Sequence, residues 1–444
     1  MKSDNIAAIS TVLGAAGVAV VRLSGDSPLT IAEKMFKPTG KTQVKDFEPN
    51  KMYAGEILAD GFSDFGLCVY FKAPKSFTGE DTVEFHSHGG VAIVKGVLKK
   101  ALSLGARLAE NGEFTKRAFL NGKLSLASAE GLIDMINSEF VSGVKAGYSL
   151  YRERLTNKVN AMQNKLLVAI SGIDADMDFP EEGLEETSRE SVKEILTEVI
   201  AETDELIYSF RQGAKVAHGV KVAICGKPNV GKSSILNALL AYDKAIVSDV
   251  AGTTRDVVEG NIDLGGVRFN LFDTAGIRDG ASDIENLGVR LSEKTVRSSD
   301  IVLFVVSAEG VDDKDDKVYD LIKDHPYITV MNKADLGEVK DARADICVSA
   351  KTGKGVDDLR KALFDKTVGG IDLSGDFLCE ERHYYALKNA RDKLSAALSA
   401  LDDTPLDILS VDITAGWQYL GEISGKTASE DIINDIFSRF CVGK

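Results

Sequence analysis

The stretch GKPNVGKSS at 226–234 fits the pattern G-x-x-x-x-G-K-[ST]. It follows the apolar run VKVAIC and opens a periodic stretch through Ile235, Leu236 and Leu239. A glycine-rich turn between a strand and a helix commits the surrounding chain to an α/β layer, because the helix N-terminus and the loop N–H groups together make a phosphate cradle. Gly226 and Gly231 let backbone N–H groups close around phosphates, Lys232 reaches the β and γ oxygens, and the Ser233 hydroxyl can ligate Mg²⁺. Asn229, Val230 and Ser234 complete the loop.

Further motifs fall at strand ends in the order a nucleotide site needs. DTAG (Asp273, Thr274, Ala275, Gly276) ends the run VRFNLF, placing Asp273 near a metal and the Gly276 N–H near a γ-phosphate. NKAD follows another apolar run with Asn332, Lys333 and Asp335; a carboxylate there accepts from guanine N1–H and N2–H, donors that adenine lacks in that arrangement. Ser349, Ala350 and Lys351 suit the base edge, so GTP is the expected nucleotide. Ile277 stands where Ras-like proteins carry a water-orienting Gln. Glu285, in RDGASDIEN, is the expected substitute.

Residues 216–375 alternate strand-like runs with helices, the pattern of a mostly parallel doubly wound sheet. Residues 1–120 mix β-like runs at 17–25, 65–71 and 81–90 with a helical stretch near 90–104, an α+β domain. From about 126, Ile136, Phe140, Val144, Tyr148, Tyr151, Leu155, Val159, Met162, Leu166, Ile170 and Ile173 recur at three- and four-residue steps, which predicts one long amphipathic helix stopped at Asp178-Phe179-Pro180. A second stripe from Val192 to Phe210 leads to about 215, and helical texture returns at 380–400 and 405–440, with Ser429 read as an N-cap before Glu430 and Asp431. The expected fold is thus multidomain α/β: an N-terminal α+β domain (1–120), a discontinuous helical domain (121–215 and 376–444), and a Ras-like P-loop domain (216–375) inserted between its parts.

The scattered cysteines, five in number, form no CxxC pair and read as free thiols. No apolar run approaches the roughly 18 residues a membrane span needs, and MKSDNIAAIS lacks a basic segment before an apolar one, so a cytoplasmic protein with no membrane partner is expected. A net charge of -15 is unlike a simple phosphate-tracking nucleic-acid binder; any RNA would be held by a local basic patch or another subunit.

Along its whole length the chain resembles the MnmE (TrmE) family of tRNA-modification GTPases, through GVAVVRLSG, SFTGEDTVEFHSHGG, GEFTKRAFLNGKL, DFPEE, the phosphate loop, AGTTRD, DTAGIRD and the terminal FCVGK. The resemblance implies a homodimer that joins an FAD-dependent MnmG-type protein in a heterotetramer and modifies carbon 5 of the wobble uridine of tRNA. It implies a K⁺ site at Asn229, Ser248, Val250 and Thr253, and a second Mg²⁺ ligand in Thr254; Asp249, Ala251 and Gly252 belong to the same GTP-binding segment. It makes Glu285 the catalytic glutamate beside Lys232 and Thr254. It places 5-formyltetrahydrofolate, or another tetrahydrofolate one-carbon carrier, against Arg22, Glu84, Lys123 and Lys444, with Cys441 either in a chemical role or packed as a small hydrophobe. The chain departs from the family at Ser87, where Cys is common, and at Ser125, where Asp is frequent. A ribosome-assembly GTPase shares PNVGKSS and NKAD, but lacks the first 120 residues and FCVGK.

Overall fold

The computed structural model describes residues 4–178, 189–241, 260–273, 295–336, 344–370 and 378–443. The chain divides into two units, one of Met1–Ile133, Leu150–Ile200 and Asn389–Lys444, the other of Asp134–Ser149 and Ala201–Lys388.

In the first unit, strands β1 (Ile6–Ile9), β2 (Ala16–Gly25), β3 (Phe36–Pro38), β4 (Met52–Leu58), β5 (Ser63–Phe71), β6 (Asp81–Gly89) and β7 (Arg107–Leu108) form a sheet in the order β3-β4-β5-β6-β2-β1-β7. Only the β1–β7 pair is parallel. Side chains alternate across the pleat. Val21 and Leu23 of β2, with Val83 and Phe85 of β6, enter a core shared with Ile31, Met35, Val94 and Val97 of the helices Pro28–Met35 and Val91–Ser103. Arg22 and Glu84 are registered partners on the opposite face.

The expected long helix is broken into three: Leu126–Asn137, Val141–Tyr151 and Arg154–Asp178. At the first break the Ser138 hydroxyl bonds to both the carbonyl and the N–H of Phe140, at 2.9 and 3.4 Å, a local alternative to the helical ladder. At the second, Glu153 turns left-handed (φ 60°). An apolar stripe continues across both breaks, so periodicity alone could not reveal them. Helix Arg154–Asp178 packs along Leu406–Ser424, where Gln163 Nε2 donates to the Trp417 carbonyl at 2.9 Å. A Cβ at Gly421 would stand 2.7 Å from that nitrogen, so a larger residue there would displace the Gln163 amide.

Helix Glu430–Ser438 begins as expected, with Ser429 accepting from the Ile432 N–H and Glu430 and Asp431 in the first turn. Its Ile436 and Phe437, with Phe440 beyond it, are buried against Leu126 and Ala129, and Phe437 meets Phe119. The chain then crosses to the first sheet. Val442 bridges to Asn111, and Gly443 (φ 100°) lies where a Cβ would come 2.2 Å from the Ile9 carbonyl oxygen.

In the second unit, β8 (Val220–Cys225), β9 (Gly260–Leu264), β10 (Val267–Asp273), β11 (Ile301–Ser307), β12 (Tyr327–Asn332) and β13 (Ile346–Cys347) run in the order β13-β12-β11-β8-β10-β9. All pairs are parallel except β9–β10. Every position of β11 is buried, which is why it reads as the unbroken run IVLFVVS. Strand β9 escaped the sequence reading. Its signal was the Gly265-Gly266 pair, whose φ values of 63° and 83° make the turn that joins it to β10. Among the described residues, no helix is long and apolar enough to cross a membrane.

Phe437 is 2% exposed and its ring lies tilted against those of Phe119 and Phe440. Phe437→Ala is therefore expected to cost about 3–5 kcal/mol. Hydrogen exchange should show the loss first in peptides covering 113–137 and 430–443; unchanged protection there would mean that the end helix is not an anchor.

Candidate functional site

The phosphate loop leaves the carboxyl end of β8 and enters helix Lys232–Ala241. Its backbone needs special residues: Gly226 (φ 155°), Asn229 (φ 65°) and Gly231 (φ 95°). A Cβ on Gly231 would lie 2.2 Å from Asn332 Nδ2. Lys232 is buried, and its ammonium donates to the carbonyls of Gly226 and Lys227 at 2.9 and 3.0 Å. Val230 is buried, while Asn229 and Ser234 are exposed. The Ser233 hydroxyl donates to Asp273 Oδ2 at 2.9 Å, so a hydroxyl from the first turn of helix Lys232–Ala241 and a carboxylate at the end of β10 meet at one point. Hard oxygen donors of this kind suit Mg²⁺.

The base side is built from β12 and the loop after β13. Asn332 ends β12 with its side chain buried; Nδ2 donates to the Val230 carbonyl at 2.9 Å, and Oδ1 accepts from the Ala350 N–H at 3.1 Å. Ser349 Oγ donates to Asp335 Oδ1 at 2.7 Å. That hydrogen bond, with the charges of Lys351 and Lys333, holds the Asp335 carboxyl below the usual carboxylate range. Asp335 is thus an ionised, exposed acceptor at neutral pH. Lys333 turns left-handed (φ 65°) and pairs with Glu309 Oε2 at 2.5 Å, a partner that the motif pattern did not name.

A second polar locus lies in the N-terminal sheet. Arg22 Nε donates to Glu84 Oε1 at 2.7 Å, and His86 Nε2 lies 3.2 Å from Glu84 Oε2. Burial pushes the Glu84 carboxyl up, but His86 and Arg22 outweigh it and leave the group below its ordinary value. Arg22 also lies over the rings of Phe77 and Phe114. Lys123 Nζ donates to the Pro74 carbonyl at 2.9 Å, so Lys123 and Arg22 both touch the 74–77 segment. His86 was missed in the sequence, although it stands two residues from Glu84 on the same face of β6.

The Cys441 side chain is exposed, and its carbonyl accepts from the Gly112 N–H at 3.5 Å. Ser87 is buried and donates to the His88 carbonyl, while Ser125 shares hydroxyl contacts of 2.9 Å with Ser128 and Thr156. Ser248, Asp249, Val250, Ala251, Gly252, Thr253, Thr254, Thr274, Ala275, Gly276, Ile277, Glu285 and Lys444 lie outside the described residues.

The family model described as "MnmE helical domain" matches residues 126–441, and that described as "GTP-binding protein TrmE N-terminus" matches 5–123. Among curated relatives called "tRNA modification GTPase MnmE", those of Moorella thermoacetica and Thermoanaerobacter pseudethanolicus are each 39% identical, over 464 and 460 aligned residues. That of Acetivibrio thermocellus is 37% identical over 459, and each alignment covers 100% of both chains. With two family models side by side over nearly its whole length and full-length relatives at this identity, the chain belongs to the MnmE (TrmE) family.

Proposed function

We propose that this chain is the K⁺-stimulated GTPase subunit of a tRNA-modifying complex, working as a homodimer with an FAD-dependent MnmG-type partner to build an aminomethyl or carboxymethylaminomethyl group on carbon 5 of the wobble uridine. The one-carbon unit comes from a tetrahydrofolate. One observation carries the GTPase reading: Asn332 joins the phosphate loop to the loop bearing Ser349, whose hydroxyl orients Asp335, so the phosphate end and the base end of one nucleotide site are held at a fixed separation. The tRNA reading rests on membership of a family whose relatives are named for tRNA modification.

In this reading the loop N–H groups and the Lys232 ammonium hold the β and γ phosphates, and Asp335 accepts from guanine N1–H and N2–H. Ser233, Asp273 and Thr254 would hold Mg²⁺, which when bound neutralises charge building on the phosphate oxygens. Asn229, Ser248, Val250 and Thr253 would hold K⁺, in the charge-stabilising role of an arginine finger. Glu285 orients the attacking water that Ile277 cannot. In the N-terminal sheet, Glu84, with Arg22 paired beside it, offers an ionised carboxylate to a pterin donor edge, while Lys123 and Lys444 suit the folate's glutamate tail.

Asp335→Asn removes the guanine acceptor. GTP affinity should fall by about 100-fold or more while xanthosine triphosphate gains; an unchanged preference in nucleotide titrations would place base reading elsewhere. Hydrolysis should be markedly faster in KCl than in NaCl, and Asn229→Ala should erase most of the difference; equal wild-type rates in the two salts would sink the K⁺ site. Glu84→Ala should weaken 5-formyltetrahydrofolate binding by about 1–3 kcal/mol in isothermal titration and leave GTP affinity unchanged. Because Glu84 sits below its ordinary value of 4.5, its contribution persists above that value and is lost as pH falls through the depressed one. Folate affinity indifferent to Glu84 would refute the N-terminal assignment.

A further inference from the structure

The phosphate loop carries a second lysine, and the motif leaves that position open. Lys227 Nζ lies 2.8 Å from Asp315 Oδ2 and 3.1 Å from Asp312 Oδ2, and donates to the Gly310 carbonyl at 3.2 Å. Asp312 is the N-cap of helix Asp313–Ile322 and Asp315 its third residue; each side chain bonds back to the other end of a capping box. The Asp315 side chain is fully buried. Its Oδ2 accepts the Asp312 N–H at 3.0 Å, while Oδ1 has no hydrogen-bond partner among the described residues. A buried carboxylate needs a cation, and here the cation is supplied by the loop.

The other end of Lys227 faces the phosphates' own lysine. Its carbonyl, with that of Gly226, accepts from the Lys232 ammonium. The residue therefore ties two things together through one backbone: an ion pair anchored in a helix cap, and the carbonyl pair that sets where Lys232 stands. Loop residues Gly226 and Asn229 on either side are in positive-φ conformations.

We infer that Lys227 is a positioning residue of the phosphate loop, which holds the Gly226–Lys227 carbonyls against Lys232 by pairing with buried Asp315; this rests on the proposal that the loop binds a guanine nucleotide. Asp315, distant in sequence, is its partner in that role.

The test uses the full chain and fluorescent N-methylanthraniloyl-GDP. Wild-type binding is measured first; its absence would remove the nucleotide reading itself, separately from this inference. Given wild-type binding, Lys227→Met should release the nucleotide about tenfold faster, and Lys227→Arg, which keeps the charge, should stay within about twofold of wild type. Asp315→Asn should also speed release, and the double variant should be less impaired than the sum of the singles because no buried charge is left unpaired. Thermal unfolding selects the variants that fold. If Lys227→Met does not fold, Asp315→Asn and Lys227→Arg carry the comparison. Release at the wild-type rate from a folded Lys227→Met or Asp315→Asn protein, or an arginine variant as impaired as methionine, would overturn the inference.

Discussion

The side chain of Asn332 is the constraint on which the nucleotide site depends. It is buried, it spends its amide nitrogen on the Val230 carbonyl and its oxygen on the Ala350 N–H, and it forbids any side chain at position 231. A neutral amide is the residue type that can donate in one direction and accept in the other, so neither Asp nor Leu could replace it without leaving a buried backbone group unpaired. Two loops that are far apart in sequence thereby become one rigid rim along the carboxyl ends of β8 and β12, where open α/β sheets bind their ligands.

The sheet that carries this rim was legible because it is covered on both faces. Strands such as β11 are uniformly apolar, and the motifs sit at their ends. The half-buried N-terminal strands were read less completely: β1 and β4 are short or mixed in burial, and the face that carries Arg22 and Glu84 mixes them with Ile6, Ala8 and Val69. Helix periodicity found core residues in Leu155, Val159, Met162, Leu166 and Ile173, but Ile136, Val144, Tyr148 and Tyr151 of the same stripe are exposed, and the number of helices differs from the one expected. Ser138 and the left-handed Glu153 stop the ladder without interrupting the apolar stripe, and an interruption of that kind is a backbone event with little compositional trace.

Site residues were legible in proportion to how local their chemistry is. Gly226, Gly231, Lys232 and Ser233 lie within a single turn and could be read from spacing. Ser233 and Asp273 could be matched only through motif order, and the structure brings their oxygens to 2.9 Å. The ties of Lys227 to Asp315 and of Lys333 to Glu309 were not legible, because no spacing links a loop lysine to a helix cap, or to the turn after β11, that tertiary folding alone brings near. Arg22 and Glu84 required a resemblance to be singled out, yet they prove to be registered neighbours on adjacent strands.

The strap formed by Phe437, Phe440, Val442 and Gly443 has a consequence for how the molecule is made. The first unit takes its opening residues from the start of the chain and its closing ones from the end, with Val442 paired to Asn111 and Gly443 seated on Ile9. During vectorial synthesis the sheet of β1–β7 emerges well before the aromatic pair Phe437 and Phe440 that completes the cluster around Leu126. The nucleotide-motif sheet, wholly contained between, has all its strands available well before that point and is dominated by nearer pairings. Leu126 and Ala129 therefore lack these partners while the intervening residues are added, until helix Glu430–Ser438 packs on them.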